Sequence, residues 1–281
     1  MTPSDPAVPA AEAQRPPAVD IIRRRLDVQI LTRARVVVIG LGGIGLFLAR
    51  ALVTFLAGLG RTLPAGQQIT VVLCDGDAFE PDNTYRMDVP DFGNKAIALG
   101  QELLDRCEDC GLAIRWVPEY VHQQNVETVI REGDCVLLAC DNPATRKLVS
   151  RRCSEGGLGN VVLISGGNDG VEDGQTGTCG NVQVYVRQDG HDVTAPLDAF
   201  HPEIADPADK PPEEMTCAEL AAAGVPQLVF VNMAVASAMC SALLRLLMPP
   251  EGQPPYDEVV LDILEGVNQP HWISGPEPDR G

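Results

Sequence analysis

The sequence predicts an α/β protein with a doubly wound, mostly parallel sheet and an antiparallel C-terminal extension. Three observations support this prediction. Short apolar runs rich in β-branched residues alternate with helical segments up to about residue 165, a pattern typical of strands covered on both faces. The glycine-rich stretch 166–180 then leads into 181–187, which alternates as a half-buried antiparallel strand does. A long apolar helix and a last strand follow.

The elements are predicted in the following order. Buried parallel strands are expected at 35–39, 70–74, 112–117, 134–140 and 160–165. Helices are expected between them, near 44–58, 94–107, 124–131 and 143–155. The long helix is expected over 227–247, ended by Pro249 and Pro250, with its apolar face against the sheet. The last strand is expected at 258–264.

The chain is interpreted as a tail followed by one domain. Residues 1–18 are rich in Pro and Ala and hold few large apolar groups, so they are expected to form a flexible tail. The domain, 19–281, is divided at the change in texture into a first half, 19–165, and a second half, 166–265. A Pro-containing tail is expected over 266–281.

Charge and composition restrict the partners and the location. The formal net charge is −18, from 39 acidic and 21 basic residues, which disfavours nucleic acid and anionic membranes as partners. No uninterrupted apolar run reaches the roughly 20 residues that span a bilayer, and the N-terminus lacks the apolar core of a secretion signal. A cytoplasmic protein is therefore expected. The nine cysteines, an odd number that falls mostly in apolar runs, argue against a disulfide framework.

A glycine loop follows the first predicted strand. Gly40, Gly42 and Gly45 form a G-x-G-x-x-G pattern, with Gly43 as a further glycine, between a strand and a helix. Such a loop lets the chain turn tightly and lets a phosphate approach the backbone N–H groups at the helix N-terminus. Residues 19–165 are therefore interpreted as a Rossmann-like nucleotide-binding half.

The segment after the second strand suggests which nucleotide chemistry follows. Asp75 lies 35 residues after Gly40, whereas a dinucleotide-binding fold normally places its ribose-binding carboxylate about 20 residues after the motif. Asp75 is followed by further carboxylates, an amide and two cations: Asp77, Glu80, Asn83, Arg86 and Lys95. Cations neutralise the charge that develops as pyrophosphate leaves an α-phosphate, and an Asp can hold magnesium. This set favours reaction at a nucleotide phosphate over hydride transfer.

The fourth strand ends in another carboxylate, Asp141, followed by Asn142. The carboxyl ends of parallel strands meet at one edge of the sheet, so Asp141 is expected over the same crevice. Asp and Asn also cap helices, and capping and metal contact do not exclude each other.

These motifs resemble those of the ThiF/MoeB/ubiquitin-activating-enzyme superfamily, which adenylates the C-terminal glycine of a ubiquitin-like protein. The resemblance covers about residues 20–165 well and the closing helix more loosely. Within the superfamily the chain also resembles bacterial ThiF-type proteins encoded beside ubiquitin-like partners, including the PRTRC-system type. The matching residues are Gly40 to Gly45, Asp75, Asp77, Glu80, Asn83, Arg86, Gly93 to Ala96 with Lys95, and Asp141 with Asn142. Met87 departs from the family pattern, which has Gln after the arginine.

The resemblance implies a set of roles. Asp75 would hold the ribose of ATP, and Asp141 would hold Mg²⁺. Asn83, Arg86 and Lys95 would bind the phosphates. The partner would be a small ubiquitin-like or sulfur-carrier protein of the ThiS or MoaD kind, and the enzyme a homodimer. One of the three arginines before the first strand would reach the partner subunit's ATP: Arg23, Arg24 or Arg25.

Two questions stay open at the level of sequence. Cys217 either receives the acyl group as a thioester, takes part in sulfur transfer, or is a packed cysteine beside a helix start. The leading hypothesis for the whole chain is an ATP-dependent adenylyltransferase. The alternatives are an NAD-dependent oxidoreductase, which only the glycine loop favours, and a nucleotide-binding scaffold without chemistry.

Overall fold

The computed structural model describes residues 26, 28–85, 87–107, 109–171, 176–215 and 227–273. The predicted tail at 1–18 lies outside these residues. So do five side chains to which the sequence assigns roles: Arg23, Arg24, Arg25, Arg86 and Cys217.

The strands of the described residues follow the predicted runs closely and add four short ones. They are β1 (Arg35–Ile39), β2 (Ile69–Cys74), β3 (Ala78–Phe79), β4 (Gly93–Asn94), β5 (Leu112–Val117), β6 (Cys135–Leu138), β7 (Val161–Asn168), β8 (Cys179–Gln188), β9 (His191–Asp192), β10 (Glu258–Asp262) and β11 (Val267–His271).

The described helices are α1 (Val28–Arg33), α2 (Gly43–Gly60), α3 (Lys95–Leu104), α4 (Val126–Val129), α5 (Pro143–Ser154), α6 (Pro202–Ala205) and α7 (Val229–Leu247). Five of them, α2 to α5 and α7, lie close to their predicted positions, whereas α1 and α6 were not predicted. Short 3₁₀ turns lie at Pro81–Tyr85, Asp105–Cys107, Leu197–Ala199 and Pro212–Glu214.

One sheet connects both halves of the chain. Among the described residues its strand order is β11-β10-β8-β7-β6-β1-β2-β5, with β9 paired to the side of β8. The five strands from β7 to β5 in this order are parallel, whereas β8, β10 and β11 join antiparallel. The chain leaves β1 toward β2 on one side and returns to β6 on the other. This reversal opens a crevice at the carboxyl ends of β1 and β6.

The sheet is buried on both faces, as its continuous apolar strands predict. In β1, Val36 and Val38 pack into the core that contains α2, α3 and α7, while Val37 and Ile39 pack toward α4 and α5. All four side chains are at most 3% exposed. The two cores therefore hold the crevice between rigid layers. The eight described cysteines are free.

The antiparallel end of the sheet differs from the sequence-based expectation at its edge. We predicted a tail after residue 265, but Val267–His271 forms β11 and pairs with β10. Gly266, with φ of +68°, takes part in the turn that joins them. Its left-handed backbone suits glycine. The strand was missed because its polar side chains and Pro270 resemble a loop, although an edge strand tolerates proline.

Helix α7 begins at Val229, two residues after its predicted start, and packs against α2, β7 and β8. Val231, Val235 and Ala238 of the predicted apolar face are buried, while Ala234 is half-buried. By length and composition alone, α2 and α7 would suffice to cross a membrane. Both helices are packed on the sheet, so this likeness is weak evidence for a membrane protein.

A pH-dependent contact ties the loop after β9 to β10. The ring of His201 lies 3.1 Å from Glu258 Oε1 and 3.0 Å from Glu203 Oε1. The bond to Glu258, with a smaller contribution from Glu203, raises the pKa of His201 above its ordinary value. A raised pKa stabilises the fold below the unfolded pKa of His, and this contribution is lost as pH rises through the folded value.

We therefore expect His201→Gln to lower the free energy of unfolding more at pH 5.5 than at pH 8.5. Urea unfolding at both values measures the difference. His191→Gln is the control, because His191 is exposed and forms no ion pair with the described residues. An equal loss at both pH values would show that His201 acts only by packing.

Candidate functional site

A cavity of about 500 Å³ opens at the carboxyl ends of β1, β2, β6 and β7, where the strand order reverses. The ionisable side chains on its wall are Cys74, Asp75, Asp77, Lys95, Tyr120, Cys140, Asp141, Arg146 and Asp209. Gly40, Gly42 and Gly43 form the adjoining wall. A nucleotide-binding crevice was predicted at these strand ends.

The glycines of the loop have different tasks. Gly40 has φ of +86°, and a Cβ there would lie 2.8 Å from the backbone nitrogen of Cys140. A Cβ on Gly45 would lie 1.9 Å from the carbonyl oxygen of Gly40, so this glycine lets the start of α2 pack on the turn. Gly42 has open space where a Cβ would point, and it caps α2 without a side-chain bond. Gly42 therefore leaves the N-terminus of α2 open to a ligand.

Asp75 ties the loop to β2. The carboxylate is buried and accepts the backbone N–H groups of Leu41 at 2.6 Å and Asp77 at 2.8 Å. Burial raises its pKa, while Lys95 and the two N–H groups act in the opposite direction. The carboxylate oxygens keep lone pairs for a further donor, such as a ribose hydroxyl. Asp75 therefore stabilises the turn and lines the cavity at once.

Lys95 lies at the start of α3 and is 6% exposed. Its Nζ is 2.5 Å from Asp77 Oδ2 and 5.8 Å from the ring centre of Phe79. Asn94 caps α3 by accepting the N–H groups of Ala96 and Ile97, and it donates to the carbonyl of Asp75 at 3.0 Å. These bonds hold the ammonium group of Lys95 beside the glycine loop. The capping role of Asn94 was missed, although an Asn before a helical run is a known N-cap signal.

Asn83 takes a different place from the one that the resemblance implies. It lies in the 3₁₀ turn, its Oδ1 accepts the N–H of Glu80 at 3.0 Å, and it is not on the cavity wall. The neighbouring Met87, which stands where the family has Gln, is buried in the core. In this structure, Asn83 stabilises the turn that precedes residue 86.

The sequence left open whether Asp141 and Asn142 cap a helix or contact a metal, and in the structure the two residues differ. Asn142 caps α5 by accepting the N–H of Thr145 at 2.8 Å, and it also donates to Asp209. Asp141 is exposed on the cavity wall and forms no hydrogen bond or ion pair with the described residues. Burial, and then the charge of Asp141, raises the pKa of Asp209. Two carboxylates thus face one part of the cavity, where a cation would relieve their repulsion.

Arg146 and Tyr120 line the cavity although sequence reasoning gave them no role. The guanidinium of Arg146 donates to the carbonyls of Cys140 at 2.8 Å and Gly166 at 3.0 Å. It therefore joins the ends of β6 and β7. Burial and the nearby carboxylates raise the pKa of Tyr120. Burial also raises the pKa of the Cys140 thiol to about 12, so the cysteine on the cavity wall stays protonated at neutral pH.

The structure brings most of the predicted site residues together. Around the cavity lie Gly40, Gly42, Gly43, Asp75, Asp77, Lys95, Asp141 and Asn142. Gly45 and Asn83 are not on this wall: Gly45 lets α2 pack on the glycine loop, and Asn83 stabilises the 3₁₀ turn. The described residues contribute four carboxylates and two basic side chains to the wall. Such a site would bind a polyphosphate better with a divalent cation present.

The chain is similar to known proteins both in sequence pattern and in fold. A family model described as the ThiF family matches residues 18–264. No curated protein sequence matches the chain. Among solved structures, E. coli MccB with succinimide aligns with a TM-score of 0.60 at 17% identity, over 89% of this chain and 67% of that one.

Two further solved structures are similar in the same way. E. coli MccB with ATP gives a TM-score of 0.59 at 18% identity, over 89% of this chain and 66% of that one. PaaA gives 0.58 at 16% identity, over 87% of this chain and 65% of that one. The chain thus spans about two thirds of the length of these structures. At such identities the likeness concerns the fold, and it confirms the predicted doubly wound α/β architecture.

Proposed function

Because this chain belongs to the ThiF family, we propose that it uses ATP to adenylate the C-terminal carboxylate of a small protein or peptide. One observation carries the proposal: Lys95 and Asp141 line the same cavity as the glycine loop. The fold is shared with MccB, which has been solved with ATP and with MccA. The finer proposal is that the substrate is a ubiquitin-like or ThiS/MoaD-like protein.

The glycine loop is proposed to hold the phosphates of ATP. The N-terminus of α2 is open at Gly42, and helix N-termini bind anions through free N–H groups and the helix dipole. Asp75 is proposed to accept a ribose hydroxyl with the lone pairs that Leu41 and Asp77 leave free. With ATP bound through these contacts, the α-phosphate would lie between the glycine loop and Lys95.

The reaction is a displacement at phosphorus. A carboxylate oxygen of the substrate forms a bond to the α-phosphorus, and the bond from that phosphorus to the bridging oxygen breaks. Pyrophosphate leaves with the electron pair. Lys95 is held by Asp77 where its charge can stabilise the phosphoryl oxygens in the transition state. By the family resemblance, Arg86 adds a second positive charge. Arg146 joins the ends of β6 and β7, which form the cavity floor.

The residues present fit a magnesium ion at Asp141. Mg²⁺ prefers carboxylate oxygens, keeps several waters, and is commonly held by one or two carboxylates together with substrate phosphates. Asp141 is exposed on the cavity wall and unpaired among the described residues, with Asp209 nearby. The ion would neutralise phosphate charge there.

We expect Asp141→Asn to slow pyrophosphate exchange by about 10- to 100-fold and to leave the melting temperature nearly unchanged, because Asn142 caps the helix without it. A magnesium titration of the exchange rate would measure the effect as a higher magnesium requirement. Asp206→Asn, at an exposed carboxylate outside the cavity wall, is the control. A variant with normal magnesium dependence would remove Asp141 from the site.

The fate of the adenylate and the location of the protein are also proposals. Cys217 is proposed to attack the acyl adenylate, so that its sulfur bonds to the acyl carbon, the bond from that carbon to AMP breaks and AMP leaves; a part in sulfur transfer is the alternative. Burial holds the Cys140 thiol on the cavity wall protonated, so Cys140 is not suited to this attack. A cytoplasmic location follows from the composition arguments above. The acidic charge of −18 would draw in a basic partner protein.

The proposed homodimer has a candidate surface on α7. Phe230, Met233 and Leu244 are 71%, 47% and 40% exposed, and with Ser237 and Ser241 they form an uncharged stripe at helical spacing. An apolar groove of about 230 Å³ lies beside this stripe, between α2 and α7. Two acidic copies could meet there without bringing like charges together. Exposed apolar side chains grouped beside an apolar groove are typical of protein–protein interaction sites.

We expect Phe230→Asp to convert a dimer into a monomer at micromolar concentration, measured by light scattering after gel filtration. Leu264→Asp is a matched control, because Leu264 is also 71% exposed but lies in the turn after β10. A dimer that survives Phe230→Asp would exclude this stripe as the interface.

Calorimetry with ATP, AMP and NAD, followed by exchange assays with candidate small proteins ending in glycine, tests the whole proposal. We expect ATP binding and partner-dependent pyrophosphate release. NAD binding without ATP binding would favour an oxidoreductase. ATP binding without pyrophosphate release by any partner would favour a scaffold. Intact mass spectrometry with and without reductant, on wild type and Cys217→Ala, then separates adenylate from thioester.

A further inference from the structure

A polar side chain is buried on the core face of α7. Asn232 is 0% exposed and follows Val231, which is 1% exposed. Its Oδ1 accepts a bond from Asn168 Nδ2 at 3.1 Å, but its Nδ2 has no acceptor among the described residues. Asn168 Oδ1 also lacks a donor there. Buried amide groups are nearly always paired, so the Asn168–Asn232 amide pair is an incomplete network.

The free amide nitrogen lies against the glycine loop. A Cβ built on Gly43 would lie 2.2 Å from Asn232 Nδ2, and 3.2 Å from Gln227 Oε1. The carboxamide therefore fills the space that any side chain at position 43 would need. Gly43 is the first residue of the 18-residue helix α2 and lines the cavity. The unpaired N–H group thus lies where the helix begins.

The unpaired polar groups at the start of α2 are all hydrogen-bond donors. The first turn of α2 offers backbone N–H groups that the helix leaves unpaired, and Gly42 adds no side-chain cap. Asn232 Nδ2 adds another donor beside them. The bond from Asn168 fixes the orientation of the carboxamide, because it occupies Oδ1 and leaves Nδ2 toward the loop. A group with acceptors alone, such as a phosphate, fits this arrangement.

We propose that Asn232 is a phosphate-binding residue whose carboxamide is held in position by Asn168. Asn232 Nδ2 is buried behind Gly43 and is not on the cavity wall, so it donates to the phosphate on the glycine loop once Gly43 and Gln227 shift to admit that phosphate. The inference rests on the proposed nucleotide binding and adds a contact from the second half of the chain. It also explains why the loop has a glycine at position 43. The α-phosphate, which AMP carries alone, is the group concerned.

Calorimetry with AMP and with adenosine tests this inference. We expect Asn232→Ala to weaken AMP binding by about 10- to 100-fold, as for a lost bond to a charged group, and to leave adenosine binding within about twofold. Asn232→Asp keeps the shape but adds a negative charge, so it should weaken AMP binding further. Asn181→Ala is the control, since Asn181 donates to Glu258 away from the cavity wall.

The outcomes separate the two proposals. Equal losses for AMP and adenosine in the Asn232 variants, or no loss for either, would overturn the phosphate role while nucleotide binding stands. Wild-type protein that binds neither ligand would overturn the proposed function and this inference with it. If the Asn232 variants do not fold, Asn168→Ala gives a second readout at the half-buried partner, which itself lines the cavity. It should weaken AMP binding selectively by releasing the carboxamide, and unchanged AMP binding would overturn the inference.

Discussion

Replacing Lys95 by methionine should slow partner-dependent ATP–pyrophosphate exchange by about 100- to 1000-fold, the range found when a main electrostatic contact to a transition state is removed. Lys95 is buried beside the glycine loop, 2.5 Å from Asp77. Methionine fills similar space, but the positive charge is lost, and Asp77 and Asp75 then face the phosphates unbalanced. The rate constant for exchange at saturating ATP is the quantity to measure.

Lys147→Met is the matched control for this experiment. Lys147 donates to the carbonyl of Ala205 at 2.6 Å and does not line the cavity, so its loss should change exchange less than twofold. Thermal melting of both variants separates chemistry from folding. Normal exchange in a folded Lys95→Met protein would contradict the proposed role of the ammonium group.

Gly45→Ala should cause the largest loss of stability of any alanine substitution in the glycine loop. The added Cβ would lie 1.9 Å from the carbonyl oxygen of Gly40, and backbone on both sides must move to relieve the clash. We expect a loss of about 3 kcal/mol or more in the free energy of unfolding, measured with urea. For a chain of this size that corresponds to a melting temperature lower by roughly 10 °C.

Gly58→Ala in the same helix is the control with the opposite sign. A Cβ on Gly58 meets nothing within 4 Å, so alanine should stabilise the helix by up to about 1 kcal/mol through its higher helix propensity. A Gly45→Ala protein as stable as wild type would mean that the turn and the helix are not in contact as described.

The parallel half of the fold was predictable because its signals are local. The runs Arg35–Ile39 and Ile69–Cys74 are apolar apart from Arg35 and Thr70, so each is recognisable as a strand buried on both faces. β11 was not predictable in the same way, because Val267–His271 gains its structure from pairing with β10 rather than from its own polar sequence. Pairing between strands is a tertiary effect that overrides local preference.

The site shows the same contrast. Lys95 and Asp141 could be identified because they belong to motifs of fixed spacing. Asn232 and Asn168 are 64 positions apart and meet only in the folded chain. An amide side chain inside the apolar helix α7 marks Asn232 as unusual in the sequence, but its contact with Gly43 could not be predicted from the sequence. Arg146 was missed because its bonds are to backbone carbonyls of Cys140 and Gly166.

The shared sheet determines whether the two halves of the chain can be expressed separately. On one side β7 pairs with four residues of β6, which belongs to the first half. On the other side it pairs with eight residues of β8, which belongs to the second half. A fragment that ended after β7 would expose a long edge of unpaired backbone amides and carbonyls, and such an edge favours aggregation. Separate expression of the two halves should therefore yield insoluble material, and recovery should require that both be present when either folds.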